Sequence, residues 1–325
     1  MTVQKERINK DITLLYRKEE DGIWLEGIDS RAAEVEIPRR IGETAIVGIY
    51  KKAFFNCRFL VSLKLPDSIK EIGDWAFAYC PKLMRVSLPR KEMKLGKSLF
   101  LGSEKLEEIE LVMCGTAAEE RPDSQAAGAG IADDVADPGA DLADVSALLA
   151  AAITLLDADY LVSASEAGSE EWLRKWDSRL LEIISRSDQE GFTKQILCGE
   201  EDYGSTDLGL YETQRRREKV RLCFVRLLHP CGISEKTREV LTAYLLDHTC
   251  GCTTQEAWDA VRTEYAHKRR YYEFFMELGG ITKENFDEAL AGLGEQQPEL
   301  KAYLMRFKEE NLESMDFFDS LSLDF

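Results

Sequence analysis

The stretch from Phe54 to Leu111 repeats itself at an offset of 23 residues, and this limits the possible folds more than any other feature. Phe54, Phe77 and Phe100 align, as do Cys57, Cys80 and Ser103, then Leu60, Leu83 and Leu106. Leu63, Val86 and Ile109 follow, with Leu65, Leu88 and Leu111 two positions on. Pro66 pairs with Pro89, Ile72 with Leu95 and Gly73 with Gly96. An ordinary amphipathic helix does not keep such a register. A fixed period of roughly 20–50 residues marks a stack of similar structural units.

The spacing gives the physics of one unit. "LVSLKLP" puts Leu63 and Leu65 on one face of a short strand that Pro66 ends. "DSIKEIGDWAFAYC" reads as a turn with a compact helical segment whose Ile72, Ala76 and Phe77 point inward. One unit cannot bury its apolar edge alone, whereas stacked units share a continuous core and a parallel ladder. Three to four coils are therefore expected between Ala53 and Leu111, with Phe54, Phe77 and Phe100 stacked inside. Cys57 and Cys80 share a slot that suits a small, weakly polar, buried side chain. Metal or redox work for this pair is the lesser alternative.

These residues resemble the BspA-like leucine-rich repeats of bacterial and protozoan proteins. The pattern A-F-x-x-C-x-x-L-x-x-L-x-L-P stands here as "AFFNCRFLVSLKLP" and "AFAYCPKLMRVSLP", with a degenerate third copy, "LFLGSEKLEEIEL". The segment from Leu15 to Phe54 looks like the family's hairpin and lead-in, so the resemblance covers residues 11–112. It implies a right-handed coil of short parallel strands and helical turns. It also implies binding of proteins or matrix, mostly at cell surfaces. The N-terminus "MTVQKERINKDITLLYRKEE" lacks the apolar core of a secretory signal, so a cytoplasmic chain with reduced thiols is expected instead.

The charge excludes some partners. Residues 1–112 hold 20 Lys and Arg against 18 Asp and Glu, so with a net charge of −18 the remainder carries −20. Nucleic acid is not expected as a partner, because a polyanion needs a positive face. Two basic runs, Arg215–Lys219 and His267–Arg270, read as solvated helix faces. No window is apolar long enough for a membrane span.

The expected fold class is a multi-domain α+β chain, with a short leucine-rich-repeat solenoid followed by an all-α helical-repeat or bundle domain. Residues 1–112 form the repeat domain with an N-terminal hairpin cap. Residues 113–146, rich in Ala, Gly and Asp with eight acids from Glu119 to Asp144, read as a flexible acidic linker, with helix beginning near Ala147. Residues 147–311 read as helical. Trp172, Trp176, Leu180 and Ile183 share a face after a capping Ser169, and Val240, Leu241, Tyr244 and Leu245 share another after Ser234. An offset of 28 aligns Trp258 with Phe286, Tyr272 with Leu300 and Met276 with Leu304. The copies are similar to degenerate ankyrin-type helix pairs, with an irregular bundle as the alternative.

No catalytic motif is present. The sequence has no G-x-x-x-x-G-K-[ST], G-x-S-x-G or H-E-x-x-H, and only three His. His229 and Cys231, with His248, Cys250 and Cys252, offer enough ligands for zinc in number, but helix-end roles suit their spacing better. No catalytic, cofactor or metal residue is therefore assigned. Two function classes compete: a non-enzymatic interaction or scaffold protein with an unknown protein partner, and an enzyme or regulatory component with a zinc-type site in the helical domain. The first is favoured. The tail, residues 312–325, is acidic yet holds Phe317, Phe318, Leu321, Leu323 and Phe325, which either cap the helical stack or dock on a partner.

Overall fold

The computed structural model describes residues 2–113, 138–192, 207–295 and 297–312. Its contacts divide the chain into two compact units, Met1–Trp176 and Asp177–Phe325.

The first unit begins with an antiparallel run, β1 (Gln4–Arg7), β2 (Ile12–Glu19) and β3 (Gly22–Ser30). Strand β2 alternates, with Ile12, Leu14 and Tyr16 buried. The chain then coils. Strands β4 (Glu34–Glu36), β5 (Arg40–Ile41), β6 (Thr44–Ile49), β7 (Ser62–Lys64), β8 (Glu71–Ile72), β9 (Arg85–Arg90), β10 (Lys94–Leu95) and β11 (Glu108–Met113) follow. One parallel sheet runs β4, β7, β9, β11, so the chain completes about four coils. A second runs β3, β6, β8, β10 on the other side.

The register of the first sheet is the sequence offset itself. Leu63 lies opposite Val86, Val86 opposite Ile109, and Leu88 opposite Leu111. Between the sheets Phe54, Phe77 and Phe100 stack with ring centroids 5.4 and 5.3 Å apart, none more than 2% exposed. Gly73 and Gly96 recur because there is no room for a side chain. A Cβ would stand 2.5 Å from the Lys51 nitrogen at Gly73 and 2.4 Å from the Asp74 nitrogen at Gly96.

The turn between the sheets departs from the expected helical segment. Alternate N–H groups reach the next coil, Phe54 N–H donating to Ala76 O at 2.8 Å and Phe77 N–H to Leu99 O at 2.9 Å, while Ala78 N–H closes a tight turn on Trp75 O at 3.2 Å. Two residues per coil take positive φ, which no α-helix continues through. They are Lys52 and Asn56, then Trp75 and Tyr79, then Ser98 and Gly102. Ile72, Ala76 and Phe77 do point inward, each at most 1% exposed.

Helix α1 (Pro138–Thr154) closes this unit. It starts before the expected Ala147, inside the segment expected as linker. Pro138 at the first helical position has the φ a helix needs, and Val145, Leu148 and Leu149 are buried as α1 packs on β11. Residues 114–137, the rest of that expected linker, lie outside the described residues. A 3₁₀ turn at Asp159–Leu161 and the start of helix α2 (Glu170–Ser185), as far as Trp176, complete the cover. Trp172 Nε1 donates to Leu161 O at 2.8 Å and Trp176 Nε1 to Leu148 O at 3.0 Å, both buried. Ser169 caps α2, accepting from Trp172 N–H at 3.2 Å.

The second unit is helical: α3 (Leu208–Leu228), α4 (Glu235–Asp247), α5 (Glu256–Thr263), α6 (Arg269–Glu277), α7 (Phe286–Ala291) and α8 (Pro298–Phe307). Ser234 caps α4, accepting from Thr237 N–H at 3.1 Å. Leu241 and Leu245 are buried, but Val240, expected beside them, is 38% exposed. Of the pairs aligned at the offset of 28, Trp258 and Phe286, Tyr272 and Leu300, and Met276 and Leu304 are all core residues, whereas Glu256 is buried and Glu284 exposed.

The basic run on α3 is not a solvated face. Arg216 bridges Glu256 at 2.6 Å and Asp188 at 3.4 Å, and buried Lys219 bridges Asp188 at 2.7 Å. Arg217 and Arg221 share Glu264, each at 2.7 Å. Further along the helix, fully buried Arg226 meets Asp177 at 2.5 Å. The partner acids lie 28 to 49 positions away in the sequence, so the pairing needed the fold.

Two substitutions test these cores by urea denaturation of the full chain. Phe77→Ala removes the middle of the ring stack and is expected to cost the first unit about 3–5 kcal/mol. A cost under about 1 kcal/mol would mean the stack is not the core. Arg226→Met strands Asp177 and is expected to cost the second unit about 3–5 kcal/mol, with part recovered when Asp177→Leu is added.

Candidate functional site

The repeat turns build the most distinctive surface of the first unit. In each coil packing fixes the buried Phe, and the positive-φ residues that flank it face outward. Trp75 is 41% exposed and Tyr79 49%, and with them stand Phe55, Phe59 and Leu101. Phe55 meets Tyr79 edge-on with centroids 5.4 Å apart, and the Lys52 ammonium lies 4.8 Å over Trp75 and 5.3 Å over Phe55. The result is an aromatic ridge crossing three coils, interleaved with cations.

The slot shared by Cys57, Cys80 and Ser103 lies just beneath the ridge. Cys80 Sγ–H donates to Phe54 O at 3.1 Å, and Ser103 Oγ–H donates to Phe77 O at 3.0 Å. Both satisfy the carbonyl of the previous coil's core Phe, which is a structural duty. The contact with Cys57, together with burial, holds the Cys80 thiol far above the ordinary range, while that same contact pulls Cys57 down.

The outward face of the β4–β11 sheet is different. There the charges are matched across strands, Lys64 with Glu36 at 3.0 Å and Arg85 with Glu108 at 3.4 Å. Such exposed pairs contribute little stability.

The His and Cys residues weighed as zinc ligands are not brought together. His229 follows the last residue of α3, and its carbonyl and that of Cys231 accept from Arg226 at 2.7 and 3.0 Å. His248 Nδ1 lies 2.8 Å from Tyr244 O, with its ring stacked on the Tyr244 ring. Cys250 is buried with its thiol pushed up to about 11, chiefly by desolvation, and its carbonyl accepts from Asn285. Cys252 is exposed, its Sγ 3.5 Å from Leu246 O. Among the described residues, no group of three or more His, Cys, Asp or Glu is placed to hold a metal ion. No described helix is long and apolar enough to cross a membrane.

Phe317, Phe318, Leu321, Leu323 and Phe325, the residues expected to bind a partner, lie outside the described residues. The ridge was missed in the sequence. Its signal is there: positions 52, 75 and 98 and positions 56, 79 and 102 vary freely while their neighbours hold the pattern, as outward-facing positions do.

A family model matches within the first unit. No curated protein matches the chain. Among solved structures it is similar to the leucine-rich repeat protein of T. pallidum, at 31% identity and a TM-score of 0.29, covering 30% of this chain and 46% of that one. A leucine-rich repeat protein from Bacteroides ovatus is 28% identical with a TM-score of 0.29, over 33% of this chain and 29% of that one. The chain thus spans less than half the length of either. The coil register and the A-F-x-x-C turn lie in the stretch, residues 33–116, that matches the family model for the "BspA type Leucine rich repeat region (6 copies)".

Proposed function

We propose that this chain works without catalysis, as an interaction protein that offers its repeat surface to a protein partner. The turn ridge carries the reading. A bulky residue at positive φ costs on the order of 1 kcal/mol or more, and such outliers gather at functional sites. Trp75 and Tyr79 bear that cost while much of their surface stays in water. In the same slots the adjacent coils place Lys52, Ser98, Asn56 and Gly102, so the fold itself does not require aromatic rings there. Large exposed apolar groups clustered within a rim of charge are the mark of a contact surface.

Two further elements complete the proposal. The acidic-aromatic tail with Phe317, Phe318, Leu321, Leu323 and Phe325 is a second docking element. The helix pairs α5–α6 and α7–α8 are an ankyrin-like stack, with residues 1–112 and 147–311 as the two working domains. The support for the stack is the matched burial at an offset of 28.

The test uses residues that neighbouring coils already accept. The full chain with Trp75→Ser and Tyr79→Asn is expected to be as stable as the parent or up to about 1 kcal/mol more so, because Asn tolerates positive φ. It is expected to lose the proteins that cross-link to the parent chain in a native extract. Unchanged cross-linking with unchanged stability would remove the ridge from function.

A further inference from the structure

The ridge has a charge state unlike the rest of the chain. Its three turns, residues 50–59, 73–82 and 96–105, carry six cations: Lys51, Lys52, Arg58, Lys82, Lys97 and Lys105. All six are exposed, and Lys52 and Lys82 sit over Trp75 and Phe59 at 4.8 and 5.9 Å. None of the six has a carboxylate within ion-pair distance among the described residues, while Lys64, Arg85 and Lys94 of the same coils are each paired. Two of the three acids nearby are engaged elsewhere. Asp74 accepts from Lys97 N–H at 2.7 Å and Asp159 accepts from Ser98 N–H at 3.1 Å. Glu104 is the third, beside Lys105 in sequence.

Resting on the interaction reading above, we infer that the partner segment seated on this ridge is an acidic peptide carrying apolar side chains. Charge complementarity selects it. Successive coils of a parallel ladder are about 4.8 Å apart, so cations on three coils fall within about one Debye length of a single bound segment at 0.1 M salt. Alternate residues of an extended peptide point the same way, so acids can meet the ammonium groups while apolar side chains lie on Trp75, Tyr79 and Phe55. A neutral apolar peptide would leave six cations uncompensated and partly desolvated. A nucleic acid would also meet cations and rings, but a long polyanion must approach a chain of net charge −18. A short acidic segment feels the local patch and little of the remainder.

The experiment measures fluorescence anisotropy of a labelled peptide made of three copies of Asp-Phe-Asp-Leu, against a control of three copies of Asn-Phe-Asn-Leu, with the full chain. The acidic peptide is expected to bind at least about tenfold tighter than the control. Its affinity is expected to fall several-fold between about 50 and 200 mM salt. The variant Lys51→Gln, Lys52→Gln, Lys82→Gln, Lys97→Gln, all exposed positions, is expected to lose that preference, and the corresponding Lys→Arg variant to keep it. Equal binding of the two peptides overturns the inference. So does tighter binding of a single-stranded RNA of similar length. Concentration-dependent self-association that the Gln variant abolishes makes a second copy the occupant and overturns it too. Probe binding that appears only after residues 313–325 are removed makes the chain's own tail the occupant and overturns it as well. The two readings fail separately: a peptide that shows no preference while the Trp75, Tyr79 variant still loses its cross-linked proteins removes only the acidic partner.

Discussion

Each coil of the repeat unit hands its backbone hydrogen bonds to the next coil, and everything else in the unit depends on that transfer. Phe54 N–H reaches Ala76 O, Trp75 N–H reaches Lys97 O, and Phe77 N–H reaches Leu99 O. Buried backbone groups must be paired, and these turns have no helix to pair them internally. The chain therefore holds one spacing along its length. Gly73 and Gly96 follow from it, because adjacent backbones approach to where a Cβ would collide. The Phe54, Phe77 and Phe100 stack follows as well, since equal spacing of backbones sets equal spacing of rings.

Much of this was legible from residues alone. The offset of 23 gives strand register directly, because Leu63, Val86 and Ile109 must repeat on one side of a ladder. The turn was less legible. "DWAFAYC" has the apolar spacing of a helical turn, and only the positive φ at Trp75 and Tyr79, invisible in composition, reveals that alternate N–H groups reach the next coil. For the same reason the ridge escaped notice, since an aromatic residue in a leucine-rich pattern reads as core until its direction is known. The early start of α1 is a tertiary effect. Sequence from Pro138 to Ser146 looks like linker, and burial of Val145 against the first unit recruits it into helix.

The helical unit shows the limit of local charge reading from the other direction. Arg216 and Lys219 sit among charged neighbours in sequence, which points to water, whereas Arg226 stands in an apolar run. Their partners Glu256, Asp188 and Asp177 come from elsewhere in the chain. Buried pairs of this kind add little net stability over apolar replacements but strongly penalise loss of one member. They make the arrangement of helices specific, because any alternative packing would leave a charge stranded. The same Arg226 ends its helix by donating to the backbone carbonyls of His229 and Cys231.

The fixed register has a consequence for how such a surface changes over generations. Core positions and ridge positions occupy separate slots of one unit of 23 residues, and the ridge slots take Lys, Trp, Ser, Asn, Tyr or Gly over one unchanged interior. A duplicated unit would enter as one more layer and meet its neighbours through contacts the stack already makes. The chain can therefore lengthen or rewrite its outer chemistry by copying and editing whole units, while the covering helix α1 goes on meeting a strand of the kind it meets now.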